Sequence, residues 1–322
     1  MSVSHKSRQT QPPKTDLRLA LSACLTGQRV RYDGADKFNP FAVHILAQWL
    51  ELIPICPEVE IGMGVPRPPI ELVETNGRLR AVGVADARLD VTRDLTRFAG
   101  VTVHQLADID GYIFKARSPS CAVSSTPVKR SGARRAKGAG LFAACIMRAL
   151  PLLPVVEETA LVSSEQQVNF IQRVEAYRRW RRFAAQPPSV AQLKAFHRRE
   201  RLSLLAHGAR GLRRMDAWLA NLAGARLGQR DLHVYGVWYA RQFTYQATRR
   251  RHVIVLRRVV SHCRSYLNRP AYLTLKQMVD AYARGEQPLA ELLSESRPLW
   301  IDGPLAEQSY LLPSLAFRLD PR

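Results

Sequence analysis

The sequence predicts an α/β domain with a mainly parallel, Rossmann-like sheet, followed by an all-α domain. Three observations carry this. Strand-like apolar runs alternate with helical segments through residues 17–157. Turns rich in glycine or proline punctuate that alternation. After residue 157, strand-like runs give way to apolar stripes of helical period.

Residues 1–16 are polar, contain Pro12 and Pro13, and lack an apolar core segment; they read as a disordered tail and not as a signal peptide. Strands are expected at 17–23, 52–55, 80–84 and 111–116, and helices at 40–51, 93–99 and 138–150. Tyr32-Asp33-Gly34, Gly62-Met63-Gly64 and Pro66-Arg67-Pro68-Pro69 mark turns. A connecting helix and linker cover 158–187, where Phe170, Val174, Tyr177, Trp180 and Phe183 recur at helical spacing before a Gln-Pro-Pro-Ser break. Ser189 is an expected N-cap. Residues 188–322 read as a helical domain, with segments ending at Gly208 and then covering 210–223, 232–246, 250–267 and 273–284. The most apolar stretch, LFAACIMRALPLLPVV, is broken by Arg148, Pro151 and Pro154, so no membrane span is expected.

A chain of 322 residues with 46% hydrophobic content suits two globular domains. Its net charge of +21 is uneven, +7 over residues 1–157 and +14 over 158–322. That excess favours contact with RNA or DNA; the alternative is solvated, arginine-rich helix faces. Arg249, Arg250 and Arg251 are the best candidates for phosphate contact. Tyr235, Trp238, Tyr239, Phe243 and Tyr245 nearby would allow base stacking, although their helical spacing reads first as core packing. His197, His207 and His252 lack an i,i+4 partner on one helix and read as packed or solvated side chains.

The five cysteines are Cys24, Cys56, Cys121, Cys145 and Cys263. An odd count in a long chain suits a reduced, cytoplasmic protein. Cys145 and Cys263 lie on helical segments and read as packing residues. Cys24, Cys56 and Cys121 each follow a strand-like run, the last after a short RSPS step. If those runs are neighbouring parallel strands, three thiols converge where open α/β sheets bind ligands. Spacing alone leaves two readings open, three small buried hydrophobes or a shared metal site with one open position. Arg29, Arg31, Arg67 and Arg117 lie close enough in sequence to favour thiolates.

The words SACLTGQRVRYDG, CPEVEIGMGVPRPPIE and KARSPSCA, with GAGLF downstream, resemble the thiouracil desulfidase (TudS) family over about residues 17–157. The resemblance implies a [4Fe–4S] cluster held by Cys24, Cys56 and Cys121, with a fourth iron free of protein ligands. It implies that a thionucleobase, 4-thiouracil or 2-thiouracil, gives up its sulfur to that iron while water attacks the thiocarbonyl carbon, without net electron transfer. Glu58 is the expected acid/base and Ser118 a second catalytic candidate; Asp33, Ser120 and Arg67 are expected to bind substrate. One departure is Ala122, where the family usually has glycine. The words AFHRRERLSLLAHG, YQATRRRHVIVL, VDAYARGEQPL and QSYLLP, over about residues 188–318, resemble a YbgA-like domain, which is often fused to such desulfidases. Two other classes stay open: an RNA-binding protein acting on thiolated tRNA, and an iron–sulfur redox sensor.

Overall fold

The computed structural model describes residues 15–130, 136–222 and 227–319. It divides into two compact units between Ala160 and Leu161. The expected tail lies outside the described residues except for Thr15 and Asp16, and Thr15 bonds the Trp49 carbonyl at 2.9 Å.

In the first unit, β1 (Arg18–Ser22) is flanked by β2 (Glu51–Ile55) and β5 (Gly111–Phe114), with β8 (Val155–Glu157) outside β5. Every pair in this sheet is parallel. Leu19, Ala20 and Leu21 of β1 are all fully buried, the continuous apolar run of a central parallel strand. Pro54 lies in β2, an edge strand, where its missing N–H disrupts no ladder on the open side.

A second sheet has the order β4-β3-β6-β7. β3 (Ile70–Thr75) and β4 (Arg78–Gly83) form an antiparallel hairpin. Asn76 and Gly77 join them with φ of 51° and 72°, the left-handed pair a type I′ turn requires. β6 (Thr126–Arg130) runs parallel to β3, and β7 (Ala136–Gly138) antiparallel to β6. The strand expected at 80–84 is therefore β4, an outer antiparallel strand, and not part of the parallel sheet. Ile70, Leu72, Ala81, Val91, Leu95 and Val128 pack as the core of this sheet.

Helices complete the unit. A π-helical segment, Phe41–Leu46, runs into α1 (Ala47–Trp49), and α2 (Pro57–Glu60) starts directly after β2. α3 (Thr92–Gln105) and α4 (Leu141–Ala149) pack together through Phe98 and Phe142, whose rings stack at 5.6 Å.

The second unit is helical, as expected. Its helices are α5 (Ser164–Ala184), α6 (Val190–His207), α7 (Ala209–Ala220), α8 (Gln229–Gln242), α9 (Arg249–Cys263), α10 (Arg269–Arg284), α11 (Leu289–Glu295) and α12 (Leu315–Arg318). Ser163 and Ser189 open α5 and α6 with capping boxes to Gln166 and Gln192. Trp180 sits at the centre of the core against Phe196, Tyr235 and Tyr239. Gly236 permits this, because a Cβ there would lie 2.8 Å from the indole. Glu200, fully buried, takes two bonds from Arg179 and one from the Tyr239 hydroxyl. Among the described residues, no helix is long and apolar enough to cross a membrane.

Candidate metal and substrate site

Parallel register fixes where the thiols fall. Ser22 at the end of β1 pairs with Ile55 at the end of β2, and Leu21 pairs with Ile113 of β5. Cys24 and Cys56 follow β1 and β2 at that same edge, and the chain leaving β5 turns back to bring Cys121 there. All three line one cavity of about 630 Å³. Cys145 and Cys263 do not line it; Cys145 contacts Arg148, and Cys263 is buried against the Tyr266 hydroxyl.

The turn carrying Cys121 is held from several sides. The Ser118 hydroxyl accepts from the backbone N–H of Ser120 and Cys121 at 3.3 and 3.1 Å. The carbonyls of Pro119, Ser120 and Ala122 accept from Leu141, Ala143 and Gly140, so the turn caps α4. Gly140 allows this approach; a Cβ there would stand 2.4 Å from the Ser120 carbonyl carbon. Glu157 at the end of β8 accepts from the N–H groups of Val123, Ser124 and Ser125. Its neighbour Glu158 pairs with Lys115 at 2.5 Å and accepts from the Ala116 N–H. Ala122 is fully buried and lies outside the positive-φ residues, so alanine fits where the family's glycine was expected.

Glu58, on the first turn of α2, is buried at the cavity wall. One oxygen accepts from Arg67 Nε and Nη2 at 2.8 and 2.7 Å, and the other from the Ser120 hydroxyl at 2.8 Å. Arg67 also donates to the Gly64 carbonyl and reaches Cys56 Sγ at 4.0 Å. Ser118 and Arg67 line the cavity, whereas Ser120 is fully buried behind Glu58. Asp33 is outside the lining, in a turn where it pairs with Arg31 and accepts from the Ala35 N–H.

Burial governs the thiols. It pushes Cys24 up to about 11, raises Cys56, and drives Cys121 well above the ordinary thiol value. Lys115 and Arg31 oppose it at Cys24, and Arg67 at Cys56, but burial outweighs them. The expectation that neighbouring arginines favour thiolates is thus corrected: desolvation is the larger effect, and a bound soft cation is what would convert these thiols to thiolates.

The donor set fits an iron–sulfur cluster. Beneath the thiols the Tyr112 hydroxyl is buried with no hydrogen-bond partner. Burial, and then the nearby Cys121, Cys56 and Cys24, raise its pKa well above the ordinary phenol value. An orphaned O–H donor in the neighbourhood of three thiols is what an anionic sulfur acceptor would satisfy. The lining carries Arg31, Lys37, Arg67, Lys115 and Arg117 against Glu58 and Glu158, an excess of positive charge suited to an anionic thiolate cluster. Among the described residues no three His, Cys, Asp or Glu are gathered tightly enough to clasp a single metal ion. Cluster thiolates are spread over several irons, so they need not gather that closely.

The arginines expected to meet nucleic acid are at the start of α9. Thr248 caps that helix, Arg249 lies 5.6 Å over the Tyr282 ring, and Arg251 donates to the carbonyls of His207 and Gln246. Two of the three are thus engaged within the unit. Of the aromatic residues near them, Tyr235, Tyr239 and Phe243 are buried in the core. Lys129 and Arg130, in the basic stretch after Cys121, pair with Glu71 and Glu74 across β3 and β6; residues 131–135 lie outside the described residues.

Three thiols in one cationic cavity, two of them buried and Cys56 half-buried, at the carboxyl edge of a parallel sheet, define a thiol-lined α/β ligand-binding domain. Residues 19–158 match the family model for 2-thiouracil desulfurase. A solved structure of a [4Fe-4S]-dependent thiouracil desulfidase, TudS, is 30% identical, covering 45% of this chain and 93% of that chain with a TM-score of 0.37. No curated protein matches. By the family model and the sequence identity, the chain belongs to the 2-thiouracil desulfurase family. The matched segment ends at 158, so the likeness of residues 188–318 to a YbgA-like domain remains a reading of their sequence.

Proposed function

We propose that the first unit removes sulfur from a free thiouracil, giving uracil, with a [4Fe–4S] cluster held by Cys24, Cys56 and Cys121. The observation that carries this is the convergence of the three thiols in one cavity of about 630 Å³, in a member of the 2-thiouracil desulfurase family. The cluster, when bound, supplies a thiophilic iron that acts as Lewis acid and sulfur acceptor. Glu58 takes the proton of the attacking water; Arg67 holds its carboxylate toward the cavity and balances its charge. Ser118 sets the Cys121 turn through its acceptor bonds and keeps its own O–H for the substrate. Burial excludes bulk water, which protects the cluster and strengthens these polar contacts. The second unit is an accessory domain.

Protein purified without oxygen and reconstituted with iron and sulfide should consume 4-thiouracil, followed by its absorbance, at about four irons per chain. Cys121→Ser should lose both iron and turnover. A loaded cluster with no turnover on either thiouracil would overturn the reading.

A further inference from the structure

The second unit contains a recess of about 570 Å³ between the start of α7 and the end of α8. Arg210 and Arg214 from α7, Arg241 from α8 and Arg251 from α9 line it, and no Asp or Glu does so among the described residues. Elsewhere in this unit arginines find carboxylates: Arg179 pairs with Glu200, Arg201 with Asp216 and Arg284 with Glu286. Among the described residues Arg210, Arg214 and Arg241 have no such ion pair. Gathering four like charges costs Coulomb energy that a bound anion offsets.

Two of the four are already positioned. The carbonyls of His207 and Gln246 anchor Arg251 at 3.2 and 2.7 Å. The Arg214 guanidinium lies 4.7 Å over the Trp238 ring, and Trp218 braces that indole edge-on at 5.6 Å. A guanidinium attracted to an indole face by its charge still has N–H groups to donate to a ligand. α7 starts at Gly208 without a side-chain cap, which adds the positive end of its dipole to the same wall. Tyr245, 49% exposed, stands at the recess beside Trp238 and offers an aromatic face.

We propose that this recess binds a small phosphorylated ligand of the nucleoside monophosphate class, with the arginines on the phosphate and the base against Tyr245 and Trp238. Arginine forks match phosphate oxygens, and the number of uncompensated charges calls for a dianion. A concave site suits one such group better than a continuous nucleic-acid backbone. Arg249, which would extend a basic track, is instead packed on Tyr282. No residue of the first unit enters this inference, so it stands apart from the desulfuration reading.

The test is calorimetric titration of the full chain with uridine 5′-monophosphate, uridine, inorganic phosphate and single-stranded oligouridylate. The monophosphate should bind saturably, phosphate should compete with it, and uridine should bind about tenfold more weakly or not at all. The double variant Arg210→Gln, Arg241→Gln should weaken monophosphate binding about tenfold or more, with circular dichroism and melting unchanged. Absent monophosphate binding, equal binding of uridine, or an unaffected double variant would each overturn the proposal. So would a preference for oligouridylate that grows with its length, which would make the recess part of an RNA surface.

Discussion

Glu58 neutralises the buried Arg67 and lines the cavity, and the proposed reaction gives it a second role, on substrate. The two roles are separable. Glu58→Gln keeps one oxygen for the Arg67 donors, turns an amide N–H toward the Ser120 hydroxyl, which can accept it, and removes the negative charge. Turnover is expected to fall about 10²- to 10⁴-fold, the usual contribution of a general base, with iron content unchanged. Melting should shift downward, because Arg67 would lose its counter-charge. Iron lost together with turnover would mean that Glu58 serves mainly to hold Arg67 beside Cys56. At this scale much of the site was legible. CPEVE places Glu58 two residues after Cys56, in the first turn of the segment that Cys56 opens, and RSPSCA announces a hydroxyl-braced turn. Tyr112, Lys115 and Glu158 were not singled out. Tyr112 and Lys115 sit in a run whose apolar residues read as strand, and only tertiary packing leaves the phenol hydroxyl buried without a partner. Asp33 had the opposite fate: its neighbour Arg31 satisfies it locally, as the Arg-Tyr-Asp-Gly turn allows.

The most demanding element is the turn that carries Cys121, because its carbonyls are also the cap of α4. Gly140→Ala would push a methyl into the Ser120 backbone, which cannot move without moving Cys121. A cost of about 1–3 kcal/mol is expected, together with reduced iron retention although all three cysteines remain. Thermal melting and iron analysis check this; unchanged values in both would mean that the turn relaxes freely. The GAGLF word carries part of the family resemblance, and only the fold shows what its second glycine approaches. The second sheet was largely missed. Asn76-Gly77 between two alternating runs is a hairpin signal, and reading it would have placed 80–84 antiparallel to 70–75. β7 and β8, with three residues each, are too short for periodicity to register, and β8 pairs with β5, far back in the sequence.

Across the whole molecule, the change from alternating strands to helical stripes was legible, and so was the helical second half. The meaning of its charge was not. Net charge counts arginines without showing which ones face a carboxylate, and only the fold separates Arg179 on Glu200 from the unpaired group on the recess. The same unit makes a prediction about acid stability. Burial, opposed by the Tyr245 carbonyl, lowers His207 from 6.5 to about 4. Between those values the unfolded chain takes up a proton that the folded chain refuses. Stability therefore falls as pH drops from about 6.5 toward 4, by about 2–3 kcal/mol, and is flat with respect to this group above that window. His197, also lowered by burial, adds to the slope. Melting against pH should show the decline, and His207→Gln should flatten part of it; a curve unchanged in the variant would assign the slope elsewhere. A last consequence follows from Glu157 and Glu158. The Cys121 turn is fastened by the last residue of the first unit's final strand, and the Lys115 segment by the residue that follows it. On the ribosome, a nascent chain that has exposed all three cysteines still lacks those fasteners until residue 158 has emerged. Cofactor insertion should thus follow completion of this unit's translation, however early the cysteines themselves appear.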